Sequence, residues 1–148
     1  MLEIKEEIVN VLGNDTTIQT LLGGTDSENR IYSWNPSEDI LYSYESNLIG
    51  AVFFRLYGTD DRPYRWSYPS QMPNLYIHFR VKSLNELVMN QVTERIIELF
   101  DIQTIETDNW RFPSIQLTTY NDGPIEGTPS VPLYVQNIVF ICRNILRK

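Results

Sequence analysis

The chain has 148 residues, of which 42% are apolar and 21% charged, with a formal net charge of −7. That is enough chain for one domain with a sizeable core, with an ordinary soluble composition. No apolar run approaches the ~18 residues of a membrane span, the charged start Met1-Leu-Glu-Ile-Lys-Glu-Glu-Ile8 does not read as a signal peptide, and the acidic balance argues against tight binding to nucleic-acid phosphates.

Residues 2–12 alternate Leu2, Ile4, Ile8, Val9, Val11 and Leu12 with Glu3, Lys5, Glu6, Glu7 and Asn10 at helical spacing. The pattern predicts an amphipathic helix stopped near Gly13. A second short helix follows, capped by Asn14 or Asp15 and ended by Gly23-Gly24. Arg30–Ser33 reads as a short strand. Trp34–Ser46 is polar, tyrosine-rich and interrupted by a proline, and reads as a long loop.

Asn47–Tyr57, apolar almost without break from Leu48, predicts a strand covered on both sides at its centre. Gly58–Pro73 contains Pro63, Pro69 and Pro73 together with Asp60-Asp61 and the aromatics Tyr64, Trp66 and Tyr68. A loop of that length in a compact domain is usually functional. Leu75, Ile77, Phe79 and Val81 then alternate with Tyr76, His78, Arg80 and Lys82, which is the period of a strand buried on one face. Ser83 and Glu86 have capping-box spacing. Leu84, Val88, Val92 and Ile96, with Leu87 and Leu99 beside them, form the apolar stripe of a helix over 84–101.

Ile102–Asp108 is a connector with modest strand character. Trp110–Tyr120 reads as a strand in which Pro113 implies an edge position or a bulge at its beginning. Asn121-Asp-Gly-Pro124 is a turn signal, Ile125–Pro132 an extended loop, and Leu133–Ile145 a closing strand, after which Leu146–Lys148 should fray. The predicted class is α+β: one domain, 1–148, with a mainly antiparallel sheet and the long helix on one face, preceded by the N-terminal helices.

No chemical motif accompanies this scaffold. His78, the one histidine, has no orienting partner or nucleophile in view, and its place on a polar strand face reads as surface or interface. Asp60-Asp61 offers hard oxygen ligands for a divalent cation, but no third ligand follows at motif spacing. Cys142, alone in an apolar run, excludes an internal disulfide and reads as a buried, inert thiol. The sequence thus predicts no catalytic residue, cofactor or metal. The surplus is aromatic: nine tyrosines and three tryptophans, several in loops. Such rings either pack loops onto the domain or supply protein interfaces with rigid contact area. The interface candidates are Tyr64, Trp66, Tyr68, Tyr76, His78, Arg80, Lys82 and Ile125.

Asn14-Asp-Thr-Thr-Ile-Gln-Thr-Leu-Leu-Gly-Gly24, then Arg30-Ile-Tyr32, then the Pro73–Phe79 strand running into a long helix and two closing strands, resembles the tail-terminator (tail-completion) proteins of long-tailed bacteriophages. More broadly it resembles their small neck and head–tail joining proteins. The likeness covers most of the chain in order of elements, and loops 34–46 and 58–73 are longer than the family's. It implies a virion structural protein at the tail–neck junction, made in the host cytoplasm. Such proteins form a ring, usually a hexamer, on the tail tube, stop its polymerisation and offer a docking face to the head connector or stopper protein. DNA would pass through the lumen without adhering. The resemblance leaves room for a different neck component. An enzymatic or metal-binding domain using His78 and Asp60/Asp61 is the remote alternative.

Overall fold

The computed structural model of the chain describes residues 2–23, 31–33, 50–58 and 74–148. Helices α1 (Leu2–Asn14) and α2 (Thr16–Leu22) precede strands β1 (Ile31–Ser33), β2 (Gly50–Gly58) and β3 (Leu75–Ser83). Helix α3 (Glu86–Phe100) is followed by β4 (Ile105–Glu106), β5 (Trp110–Phe112), β6 (Ser114–Asp122), β7 (Glu126–Thr128), β8 (Val131–Arg143) and β9 (Leu146–Arg147). The main sheet runs β1-β2-β3-β8-β6, with β7 added along β8, and every pair except β1–β2 is antiparallel. Strands β4, β5 and β9 form a small second sheet. This is the α+β, mainly antiparallel architecture expected from the sequence.

The alternation in β3 decides the layering. Leu75, Ile77, Phe79 and Val81 are buried on the helix side. Their register neighbours there include Phe54 and Val52 on β2, and Ile138 and Phe140 on β8. Phe79 lies at the centre: its ring is 5.1 Å from Phe100 of α3, 5.8 Å from Phe140 and 6.2 Å from Phe54. Ile4, Ile8 and Leu12 of α1 and Ile18 and Leu22 of α2 join the same core. Cys142 also lies in it, and burial pushes its thiol up to about 12.

Several boundaries differ from the sequence reading. Helix α1 continues through Gly13, whose carbonyl accepts from the Gln19 side chain at 2.7 Å. The break falls at Asp15, which adopts an extended conformation and caps α2 by accepting from the Ile18 amide at 3.0 Å. Gly23 ends α2 as expected, in the left-handed region at φ 117.

Ser83 is not the cap of the long helix. It is the buried last residue of β3, and its hydroxyl accepts from the amide of Asn85. Asn85 is the cap, accepting from Leu87 and Val88. The buried stripe of α3 is Met89, Val92, Thr93, Ile96 and Phe100. Val92 and Ile96 were expected; Leu87 is 64% exposed. Val88 and Leu99 only flank the core, and Leu84 precedes the helix and packs on a small cluster of Ala51, Phe53 and Leu133. Apolar residues occupy more than half the circumference of α3, so helical period alone left the face ambiguous. Seating Phe100 against Phe79 and Phe140 selects it.

Pro113 divides its segment between two sheets, β5 in the small one and β6 at the edge of the main one. The bulge lies between Leu117 and Thr119, well past the strand's beginning. The segment 125–132, read as a loop, contains β7 and the start of β8, joined by a tight hairpin in which Gly127 takes φ 80. Residues 146–148, expected to fray, are paired. Asn144 at φ 55 turns the chain back, β9 pairs with β5, and the Lys148 amide donates to the Asn109 carbonyl at 2.8 Å. A short asparagine side chain makes that left-handed turn accessible. The loops 34–46 and most of 58–73 lie outside the described residues.

Candidate functional site

The outer face of the main sheet, opposite the helices, is built by the residues that alternate with the core. On β3 these are Tyr76, His78, Arg80 and Lys82. Register places Tyr57, Arg55, Phe53 and Ala51 of β2 against them on one side, and Ile141, Val139, Asn137 and Val135 of β8 on the other.

The face is ordered by a few specific contacts. Tyr57 and Tyr76 stack at 5.1 Å with an 11° interplanar angle, and the Arg55 guanidinium lies 5.2 Å above the Tyr57 ring. The side-chain oxygen of Asn137 accepts from Arg80 Nε at 3.1 Å and lies 3.1 Å from His78 Nε2, which donates to it. Lys82 Nζ binds Glu126 Oε2 at 2.7 Å and sits 5.4 Å from the Phe53 ring centroid. Phe53 in turn stacks on Tyr32 at 5.4 Å. At the far end of β8, Arg143 donates to Gln116 at 3.0 Å.

Burial lowers the pKa of His78, the bond to Asn137 opposes that shift, and the charges of Arg55 and Arg80 add to it. The imidazole is therefore neutral at pH 7. Its neighbours include the Asn137 amide and the guanidinium groups of Arg55 and Arg80. No cluster of three or more His, Cys, Asp or Glu side chains arranged to hold a metal occurs among the described residues. None of the described helices is long and apolar enough to cross a membrane.

The structure thus brings Tyr76, His78, Arg80 and Lys82 together on one half-buried face. Ile125 is 66% exposed, in the link between β6 and β7. Tyr64, Trp66, Tyr68 and the Asp60-Asp61 pair lie outside the described residues. Arg55, Tyr57, Asn137 and Glu126 belong to the face and were missed in the sequence. The alternation Phe53-Arg55-Tyr57 was visible but masked by the apolar run around it, and the partners on β8 and β7 depend on registers that the sequence does not state.

No family model and no curated protein matches the sequence. Among solved structures, the chain is similar to one in "Virion of native gene transfer agent (GTA) particle". The likeness has a TM-score of 0.64 at 8% identity and covers 95% of this chain and 92% of that one. The two chains share a fold over nearly their whole lengths.

Proposed function

We propose that this protein is a structural component of a phage-like virion, and specifically a tail terminator. It acts as one domain that assembles into a ring, a hexamer by the family's habit, on the last ring of the tail tube. There it caps tube growth and presents a docking face to the head-side connector. The single observation that carries the virion reading is the fold shared with a virion chain across almost the full length of both. The terminator reading adds the order of elements and the short motifs Asn14–Gly24 and Arg30–Tyr32. The mechanism is steric and interfacial, with no bond made or broken. A closed ring needs heterologous contacts, one patch of each subunit meeting a different patch of its neighbour. The net charge of −7 supports a channel that DNA traverses without adhering.

Imaging of the purified protein alone and mixed with tail tubes tests this reading. Rings at tube ends are expected. Pull-down against tube protein and against the connector separates the terminator from other neck components: capture by the connector alone would reassign the protein to a head-completion or stopper role.

A further inference from the structure

The outer edge of β6 is closed along one half and open along the other. The Ile115 amide donates to the Gln103 carbonyl, its carbonyl accepts from the Ile102 amide, and the Leu117 amide donates to the Asp101 side chain at 3.0 Å. The bulge between Leu117 and Thr119 ends that arrangement. Beyond it β6 pairs with β8 alone among the described residues, and Thr118, Thr119, Tyr120, Asn121 and Asp122 are all exposed. An open edge offers amides and carbonyls to another chain, and proteins commonly guard it with lysine or proline. Neither residue type occurs between Ser114 and Asp122. Register sets Tyr120 opposite Ile138 and Asp122 opposite Gln136, so both project to the helix side of the sheet, where Tyr120 remains 49% exposed.

The notch between this edge and α3 is acidic. Arg95, the one cation of α3, faces α2 and is engaged by Asp15 at 2.7 Å. Helical spacing turns Glu94 and Ile97 to the other flank, towards β6. Asp101 and Asp122 add carboxylates, and β6 has no Lys or Arg to balance them. Two buried side-chain atoms lack a hydrogen-bond partner among the described residues, Thr93 Oγ1 on α3 and Gln136 Oε1 on β8. Gln136 is 3% exposed and its Nε2 donates to Asp122 Oδ1 at 3.0 Å, so its amide is directed towards the open end of β6. Buried polar atoms are rarely left unpaired, and each of these calls for a partner group. Beside the closed half of the edge, Ile102 is 80% exposed at φ 60, a strained placement that presents an apolar side chain next to the strand.

We propose that the open half of β6 takes up an extended, basic segment of a partner protein as an added strand. Backbone pairing along Thr118–Asp122 supplies affinity, and alternate side chains of the incoming strand supply selectivity. On the helix side its apolar groups meet Ile97, Leu117 and Tyr120. Its Lys or Arg side chains meet Glu94 and Asp122 and bring the donors that Thr93 and Gln136 lack. Charge complementarity selects such a segment over the β6 strand of a second copy, which carries Asp122 and no cation. Strand addition at this edge is independent of the tail-terminator reading.

The probe is a dye-labelled peptide amide, Thr-Lys-Val-Arg-Val-Lys-Thr, titrated with the intact protein and followed by fluorescence anisotropy and amide hydrogen exchange. It should bind at low salt, weaken at high salt and slow amide exchange within residues 118–122. Replacing its Lys and Arg by Glu, or substituting Glu94→Lys in the protein, should each cost about tenfold in affinity. N-methylation of alternate peptide residues removes the donors of one strand edge and should abolish binding. Tyr120→Pro should weaken binding in a protein of native circular dichroism, since edge strands tolerate proline. Should that variant misfold, the N-methylated peptide against the wild type still tests the backbone pairing. No binding at low salt, equal binding of the acidic peptide, or protection confined to other strands would overturn the proposal. So would protection of 118–122 that rises with concentration in the protein alone, with a doubled mass by sedimentation, which would assign the edge to a second copy.

Discussion

The carboxylate of Asp15 serves two elements at once, capping α2 through the Ile18 amide and accepting from Arg95 of α3 at 3.0 Å and 2.7 Å through its two oxygens. The pair spans 80 residues of sequence and fixes how the N-terminal helices sit on the long helix. Hydrogen bonding from Arg95 holds the Asp15 carboxyl below its ordinary value of 3.8, against the opposing effect of burial. The resulting stability is present above that value and is lost as pH falls through the folded-state pKa. Asp15→Ala should cost about 1 kcal/mol through the cap alone. Asp15→Asn keeps a cap but loses the charge, so its denaturation midpoint should fall at neutral pH and vary less in acid. An unchanged acid-unfolding profile in Asp15→Asn would show that the pair does not matter.

Phe79 and Leu87 are both large and apolar, yet replacing them should have opposite consequences. Phe79 is fully buried between Phe54, Phe100 and Phe140, so Phe79→Ala should cost about 3–5 kcal/mol. Phe79→Asp should prevent folding altogether. Leu87→Asp, on the exposed side of α3, should change stability by about 0.5 kcal/mol or less. Urea titration of the variants checks all three values, and a folded Phe79→Asp protein would mean that the core face is misassigned.

His78 gives the outer face a pH dependence with a definite sign. Its pKa in the folded protein lies below 6.5, chiefly through burial. Above that pH both the folded and unfolded states are neutral. As pH drops through 6.5 the unfolded chain gains a proton that the folded one resists, so stability declines until the folded-state pKa has been passed. His78→Gln should abolish that decline while retaining a donor towards Asn137. Melting curves taken across this window would contradict the assignment if wild type and variant fell in parallel.

Ile102 adopts φ 60 and is 80% exposed, a costly combination for a β-branched residue. Its amide donates to the Ile115 carbonyl at 2.7 Å, and the Asp101 side chain accepts from the Leu117 amide at 3.0 Å, so the turn is held from both sides. Ile102→Asn relieves the backbone without removing either bond and should stabilise the protein by on the order of 1 kcal/mol. A lower melting temperature in this variant would show that the isoleucine side chain has contacts worth more than the strain.

The elements with strict periodicity were legible in the sequence. The alternation from Leu75 to Val81 placed both faces of β3 correctly, and the helix after it was visible from Val92 and Ile96. What escaped depends on long-range pairing. Ser83 looked like a cap because its hydroxyl and Glu86 have the spacing, but β3 extends through Ser83 opposite Gly50 and Tyr134, which leaves capping to Asn85. Leu146–Lys148 look like a fraying tail until β5 is known to offer an edge. On the outer face the sequence showed Tyr76, His78, Arg80 and Lys82. It did not show that Asn137 binds two of them or that Glu126 reaches Lys82 across 44 positions, because those contacts arise from strand register alone.

The most direct test of a tail-capping role is the length distribution of tails, measured by electron microscopy after deleting the gene for this protein from the particle-producing genome. Over-long, uncapped tubes without attached heads are expected, and supplying the wild-type protein should restore a single length. Tails of normal length joined to heads in the deletion would contradict the role.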